Sequence, residues 1–384
     1  MKLKSIRDEV KKIAGRDIFL RVDFNAPIKD GKIRDESKII SALPTIRFLL
    51  RYKCRIILGT HLGNPAGKKV KNLSVRPLAA RLNQLLGSNK VKFVNEITEN
   101  IVQKEFEKIK PGQILFLENL RFNKGEEAND KKFACALAKM AEAYVNEAFS
   151  VSHRAHASIS AIRKFLPAYA GILLEKEIAN LDRIKNPIKP LVILMGGAKI
   201  KTKINLIKNL KEKASKILIG GALANNFFKA MGLEIGKSLF DKESVVIAKK
   251  LLKNKKIVLP LDVTVSAKRG AMVRIIGEVE KEDTIFDIGP KTISLYAKII
   301  KEAKTIVWNG PVGAFEKPHF QCGTMALGQV IAARSRGKTF GVVGGGETLE
   351  ALKMTKMENY VDWISTGGGA MLAYLGGEKM PGLA

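Results

Sequence analysis

The chain has 384 residues, room for two domains at the usual ~100–200 residues each, and its 46% hydrophobic content is ordinary for a packed interior. No apolar run reaches the ~18–20 residues of a membrane-spanning helix, so no membrane partner is expected. Lys and Arg number 67 against 37 Asp and Glu, a net charge of +30. The lysines are spread along amphipathic stretches such as Ile204–Lys216 and Ala248–Lys256, with no basic tail, zinc pattern or aromatic RNA-binding signature. A specific nucleic-acid partner is therefore not expected, and the charge suits the steering of a small, multiply charged anion.

In chain order, the opening residues Met1–Arg7 lack the apolar stretch of a secretory signal, which leads to the expectation of a cytoplasmic protein. Short β-branched or aliphatic runs follow, alternating with longer amphipathic ones. Ile18–Val22, Arg55–Leu58, Ile114–Leu117 and Ala143–Val145 read as strands of the first half, with helical periodicity at Val75–Leu86 and Phe133–Ala141. Gly171–Ile184 reads as a helix stopped by Pro187 and Pro190, a rigid connector between domains. In the second half Leu191–Leu194, Ile217–Ile219, Ile257–Leu259, Thr305–Val307 and Thr339–Val343 read as strands. This alternation predicts βαβ units and, overall, an α/β fold of two Rossmann-like lobes, each a parallel sheet covered by helices. Cys54, Cys135 and Cys322 have no paired spacing and read as reduced thiols.

Apolar runs lead into glycines at three places in the second half: Gly196–Gly197 before Ala198 and Lys199, Gly344–Gly346 before Glu347 and Thr348, and Gly367–Gly369 before Ala370. Such turns let the backbone approach a ligand and present helix-start N–H groups to an anion, so the pattern points to phosphate. Lys199 and Lys203 are spaced i, i+4 and are expected to face the same phosphates from the start of one helix. Glu347 could hold Mg²⁺ through one carboxylate while phosphates fill other positions. Two look-alikes are set aside. Gly232–Ser238 is one residue short of a P-loop and follows a helical stretch, and Leu349 stands where a dinucleotide fingerprint wants its third glycine.

The first half collects cations and polar groups at strand ends: Arg21, Asp23 and Asn25; His61 and Asn64; Asn119 and Arg121; His153, Arg154 and His156. Ligands of parallel sheets sit beyond the carboxyl ends of strands, so these segments should converge on one basic anion pocket. His61, His153 and His156 could also be imagined around zinc, but the neighbouring arginines repel a cation.

Taken together, Arg21–Asn25, Glu118–Phe122, His153–Ser158, Glu175–Glu177, Gly196–Lys199, Trp308–Gly313, Gly344–Thr348 and Ser365–Ala370 resemble the phosphoglycerate kinase family, in the family's order and from about Ile18 to Leu383. The resemblance implies a two-lobed enzyme that moves a phosphoryl group between 1,3-bisphosphoglycerate and ADP, giving 3-phosphoglycerate and ATP, with Mg²⁺, as a monomer. It further implies a 3-phosphoglycerate domain over residues 1–170, a helix and hinge over 171–190, a nucleotide domain over 191–365, and a segment 366–384 that returns to the first domain. Asp23 and Asn25 would hold the glycerate hydroxyl and carboxylate. His61, Arg121 and Arg154, with Arg21, His153 and His156 nearby, would bind its charged groups. Gly197, Lys199, Lys203, Asn309, Gly344, Gly345, Gly346, Glu347 and Thr348 would surround the nucleotide phosphates and metal, and Glu316 would reach the ribose. Transfer is expected to be in line with no covalent intermediate, assisted by Lys203, Lys38 and the N–H groups around Gly345 and Gly368.

The chain departs from the family pattern in four places. Lys38, expected just before the helix that contains Ala42–Ile46, replaces an arginine and offers a point charge instead of a planar fork. Asn64 stands where a second substrate arginine is usual, Glu347 replaces Asp, and Asn146–Ser150 replaces a stretch that usually ends Asp-Ala-Phe-Gly. An impaired homologue that only binds ligands is the alternative these changes leave open.

Overall fold

The computed structural model describes residues 3–87, 89–197 and 203–383. The chain forms two compact units, one of residues 1–179 with 379–384 and one of residues 180–378. The division falls inside the helix Ile172–Lys185.

The first unit is built on a seven-stranded, all-parallel sheet. Its spatial order is Lys4–Ser5, Ala168–Ala170, Ala143–Asn146, Asp17–Arg21, Arg55–Gly59, Ile114–Leu117, Val91–Val94. Strand side chains alternate between faces, and both faces are covered. Ile18, Leu20, Ile56, Leu58 and Phe116 enter one core together with Leu43, Ile46 and Leu82 from the helices Ser37–Arg51 and Arg76–Leu86. Phe19, Ile57, Leu115 and Leu117 enter the other, against Val102 and Phe133 of the helices Glu99–Phe106 and Lys131–Ala138. The runs that read as continuously apolar do so because both sides of each strand are buried.

The second unit holds a six-stranded parallel sheet in the order Ile257–Val258, Lys216–Ile219, Leu191–Met195, Thr305–Asn309, Phe340–Gly344, Trp363–Ser365. Trp308 is fully buried beneath the helices Pro290–Glu302 and Cys322–Arg334, and its indole N–H donates to the Gly310 carbonyl at 2.9 Å. Truncating such a residue costs about 3–5 kcal/mol; here it would also loosen the loop that follows the strand. The unit also contains a three-stranded antiparallel sheet, with Asp262–Ala267 between Gly270–Ile275 and Thr284–Ile288. The α/β expectation did not include it, because alternation of elements along a chain says nothing about a local hairpin.

The look-alike Gly232–Ser238 indeed follows the helix Ala222–Ala230, and its Gly236 bridges to Thr284. All three cysteines are unpaired. Among the described residues no helix is long and apolar enough to cross a membrane.

Candidate active site

In the first unit the strand ends bring a dense set of cations together around buried acceptors. Arg21 ends its strand fully buried, and its guanidinium is held internally: Nε donates to Ser158 Oγ at 2.8 Å, one terminal nitrogen to the Val22 carbonyl, and the other lies 3.3 Å from His61 Nδ1. Ser158 in turn donates to Glu126 at 2.6 Å, so a buried carboxylate balances Arg21 through one hydroxyl. Arg21 is thus held by internal partners and supports this cluster of side chains from beneath. Glu126 carries no signal in the sequence pattern, and Ser158 is marked there only by its place in the His153–Ser158 segment.

Arg121 behaves differently. Asn119 accepts from the Arg121 N–H at 3.1 Å, fixing the turn Leu120–Phe122, and the guanidinium donates to the Gly63 carbonyl at 2.7 Å. Glu127 stands 3.3 Å from Nε without hydrogen-bond geometry, so Nε and one terminal nitrogen are buried with no acceptor among the described residues. Burial lowers the Arg121 pKa; Glu127 opposes the shift, while Arg154 and Arg21 add to it. Unsatisfied buried donors are costly, and an anion relieves that cost. His156 is also buried, its Nδ1 has no partner among the described residues, and burial followed by repulsion from Arg121, Arg21, Arg154 and His153 pushes its pKa down to about 4. Arg154 is exposed and His153 half-buried.

Asp23 is the anionic member of this group. Its Oδ1 accepts from the Asn25 N–H at 2.9 Å and lies 4.0 Å from His61 Nδ1. Its Oδ2 accepts from Lys38 Nζ at 2.8 Å and from the Ser150 hydroxyl. Burial opposes its charge, but the Lys38 ammonium and the Ser150 hydroxyl hold the carboxyl well below the usual range. Burial keeps His61 neutral, against the pull of Asp23. Asn25 Oδ1 accepts from the Gly63 N–H at 3.0 Å, tying two of the expected segments. Lys38 lies inside the first turn of the helix Ser37–Arg51, not before it as expected, and reaches Asp23 from there. Asn64 is exposed.

In the second unit the loops after four parallel strands interlock. The Gly197 N–H donates to the Pro311 carbonyl at 2.7 Å, the Gly221 N–H to the Val312 carbonyl at 2.8 Å, and Asn309 Nδ2 to the Gly344 carbonyl at 2.7 Å. Thr348 Oγ1 accepts from the Gly310 N–H at 2.7 Å. Gly310 is obligatory: its φ is +92°, and a Cβ there would strike the Gly196 backbone. Gly345 (φ +104°) starts the helix Gly346–Met354, with Glu347 in its first turn, where a carboxylate complements the helix dipole.

Lys203 is 7% exposed; its carbonyl accepts from the Ile207 N–H at 3.0 Å, while its ammonium makes no hydrogen bond or ion pair among the described residues. Burial lowers its pKa, while Glu347 pulls it back up. A methyl group built on Gly197 would lie 3.4 Å from Lys203 Nζ and 3.8 Å from Glu347 Oε2, so ammonium, carboxylate and glycine turn border one space. The described helix begins at Ile204 with Lys203 just outside it, and Lys199 lies outside the described residues. Gly368, at φ +48°, precedes the helix Gly369–Leu375, and Glu316 is exposed in the loop after Phe315.

Two parallel α/β units, one with cations gathered at its strand ends and one with glycine turns around a buried lysine, define an enzyme of the class that transfers charged phosphoryl groups. The family model for phosphoglycerate kinase matches residues 7–378. Among similar solved structures, phosphoglycerate kinase from Coxiella burnetii shares 38% identity at a TM-score of 0.84, covering 100% of this chain and 96% of that one. The crystal structure of phosphoglycerate kinase from Pyrococcus horikoshii OT3 shares 31% identity at a TM-score of 0.86, covering 99% and 97%. The chain belongs to the phosphoglycerate kinase family, and it is a phosphotransferase with a carboxyl group as acceptor.

Proposed function

We propose that the first unit binds 3-phosphoglycerate or 1,3-bisphosphoglycerate and the second binds ADP or ATP. The observation that carries this reading is the buried guanidinium of Arg121, with two donors lacking acceptors beside the neutral ring of His156. Arg121, Arg154, His153 and His156 take the charged groups of the glycerate. Asp23 and Asn25 take its hydroxyl and carboxylate, His61 orients Asp23, and Arg21 supplies field from below.

On the nucleotide side, Gly197, Gly344–Gly346 and Thr348 admit the phosphates, Asn309 holds the Gly344 turn, and Glu316 reaches the ribose. Lys199 is assigned by its place in the motif alone. Lys203, desolvated and close to Glu347, neutralises charge on the oxygens of the group in flight. Glu347 is exposed and accepts no hydrogen bond among the described residues, so its oxygens suit Mg²⁺, which usually takes one or two carboxylates and completes its shell with phosphates and water. When bound, Mg²⁺ offsets phosphate charge.

The attacking oxygen is already ionised in either direction, so no general base is required and positioning does most of the work. Lys38 and the N–H groups of Gly345 and Gly368 complete the assistance to transfer. Donor and acceptor must meet in line, which the segment 171–190 has to permit. All assigned groups come from one chain, so a monomer suffices, and three free thiols suit a cytoplasmic setting.

The test is a coupled assay of ATP-dependent phosphorylation of 3-phosphoglycerate, with Mg²⁺ and with chelator, against Arg121→Gln. The expected result is Mg²⁺-dependent turnover, with the KM for 3-phosphoglycerate raised at least ~tenfold in the variant and that for ATP unchanged. Turnover indifferent to Arg121 would refute the assignment of the glycerate pocket.

A further inference from the structure

We infer that Ser150 is a positioning residue for the glycerate site, acting through Asp23; this rests on the reading of Asp23 as a substrate ligand. Two of the places where this chain departs from the family pattern, Lys38 and Ser150, meet on a single oxygen. Asp23 Oδ2 accepts from Lys38 Nζ at 2.8 Å and from Ser150 Oγ, while Oδ1 takes the Asn25 N–H at 2.9 Å. The carboxylate is thus gripped from three elements: the loop after its own strand, the helix Ser37–Arg51, and the short turn Phe149–Val151.

The two grips on Oδ2 are of different kinds. An arginine could fork, holding a carboxylate with one nitrogen and an incoming phosphoryl oxygen with another in fixed geometry. A lysine is a compact charge on a flexible stem, and turning toward the phosphoryl group weakens its hold on Asp23. The Ser150 hydroxyl sits on a short stem with one rotatable bond and does not travel. It keeps Oδ2 in place while Lys38 is drawn to the transferring group, so Asp23 still presents its remaining lone pairs to the substrate hydroxyl. Residue 150 is absent from the positive-φ positions, so its backbone makes no demand for glycine and the side chain is free to serve in this way. Ser150 thereby compensates for the lysine at position 38.

The experiment uses the full chain with 3-phosphoglycerate and Mg-ATP, comparing Ser150→Ala, Ser150→Thr, Asp23→Asn and the Asp23→Asn/Ser150→Ala double variant. A hydrogen bond to a charged group carries Ser150→Ala to a KM for 3-phosphoglycerate about tenfold higher, with the KM for ATP within about twofold of wild type. Threonine, which keeps the hydroxyl, restores the glycerate KM to within about threefold. Adding Ser150→Ala to Asp23→Asn leaves the glycerate KM where Asp23→Asn alone puts it. An unchanged KM in Ser150→Ala, equal rises for both substrates, failure of threonine to rescue, or full additivity in the double variant each overturns the role of Ser150. If Asp23→Asn itself leaves the glycerate KM unchanged, it is the reading of Asp23 that falls, and the role of Ser150 falls with it.

Discussion

Replacing Glu147 by Gln removes a buried titrating group from the start of the helix Ile172–Lys185, and its effect on stability should depend on pH. Glu147 is 2% exposed, accepts from the Leu173 and Leu174 N–H groups at 3.1 and 3.2 Å, and takes the Thr45 hydroxyl as well. Burial raises its carboxyl from 4.5 to about 7 despite those donors. Between these two values the unfolded chain has released its proton while the folded chain keeps it. Folding then binds protons, and the contribution of Glu147 to stability falls as pH rises through that window. At ~1.4 kcal/mol per pH unit, the full loss is about 3 kcal/mol. Glutamine does not titrate, and its amide cannot accept from both N–H groups, so Glu147→Gln should be the weaker protein near about pH 5. Its deficit should shrink by about 3 kcal/mol towards about pH 8. Urea unfolding of both proteins across that range, followed by far-UV circular dichroism, reads the difference directly. Unfolding midpoints that stay parallel at every pH, with equal m values, would refute the argument and show Glu147 to be ionised throughout.

Lys203→Ala should lower kcat by ~10²–10³ while ADP still binds, measured by steady-state kinetics beside calorimetric titration, because the lost interaction is made with the group in flight. Gly196→Ala drives a Cβ into the Pro311 and Gly310 carbonyls, where only backbone could yield. That variant should lose about 1–3 kcal/mol of stability and bind ATP more weakly, and wild-type melting and affinity would contradict the interlocked-loop description. His156 is neutral when folded, with a pKa near 4 against an ordinary 6.5, so its contribution is full above that range and is lost as pH falls through it. His156→Gln should therefore flatten the acid limb of the stability profile, the opposite sign to Glu147; an unaltered acid limb would remove His156 from the cause.

Much of the fold and part of the site were legible in the chain itself. The strands could be read because parallel strands covered on both faces must be apolar at consecutive positions, as at Ile114–Leu117 and Leu191–Met195. The glycines at 197, 310 and 345 announce turns because their φ values of +77°, +92° and +104° exclude most side chains. The family resemblance followed from such local motifs. What only the tertiary structure decided is how charges far apart in sequence meet. Arg21 is balanced by Glu126, a partner 105 residues away by number, through Ser158. Lys38, which the sequence marks as a point charge, rests on Asp23 beside Ser150, and Lys203 is desolvated next to Glu347. Local sequence sets backbone conformation and burial pattern, but a charge takes its role from neighbours that only the folded chain supplies.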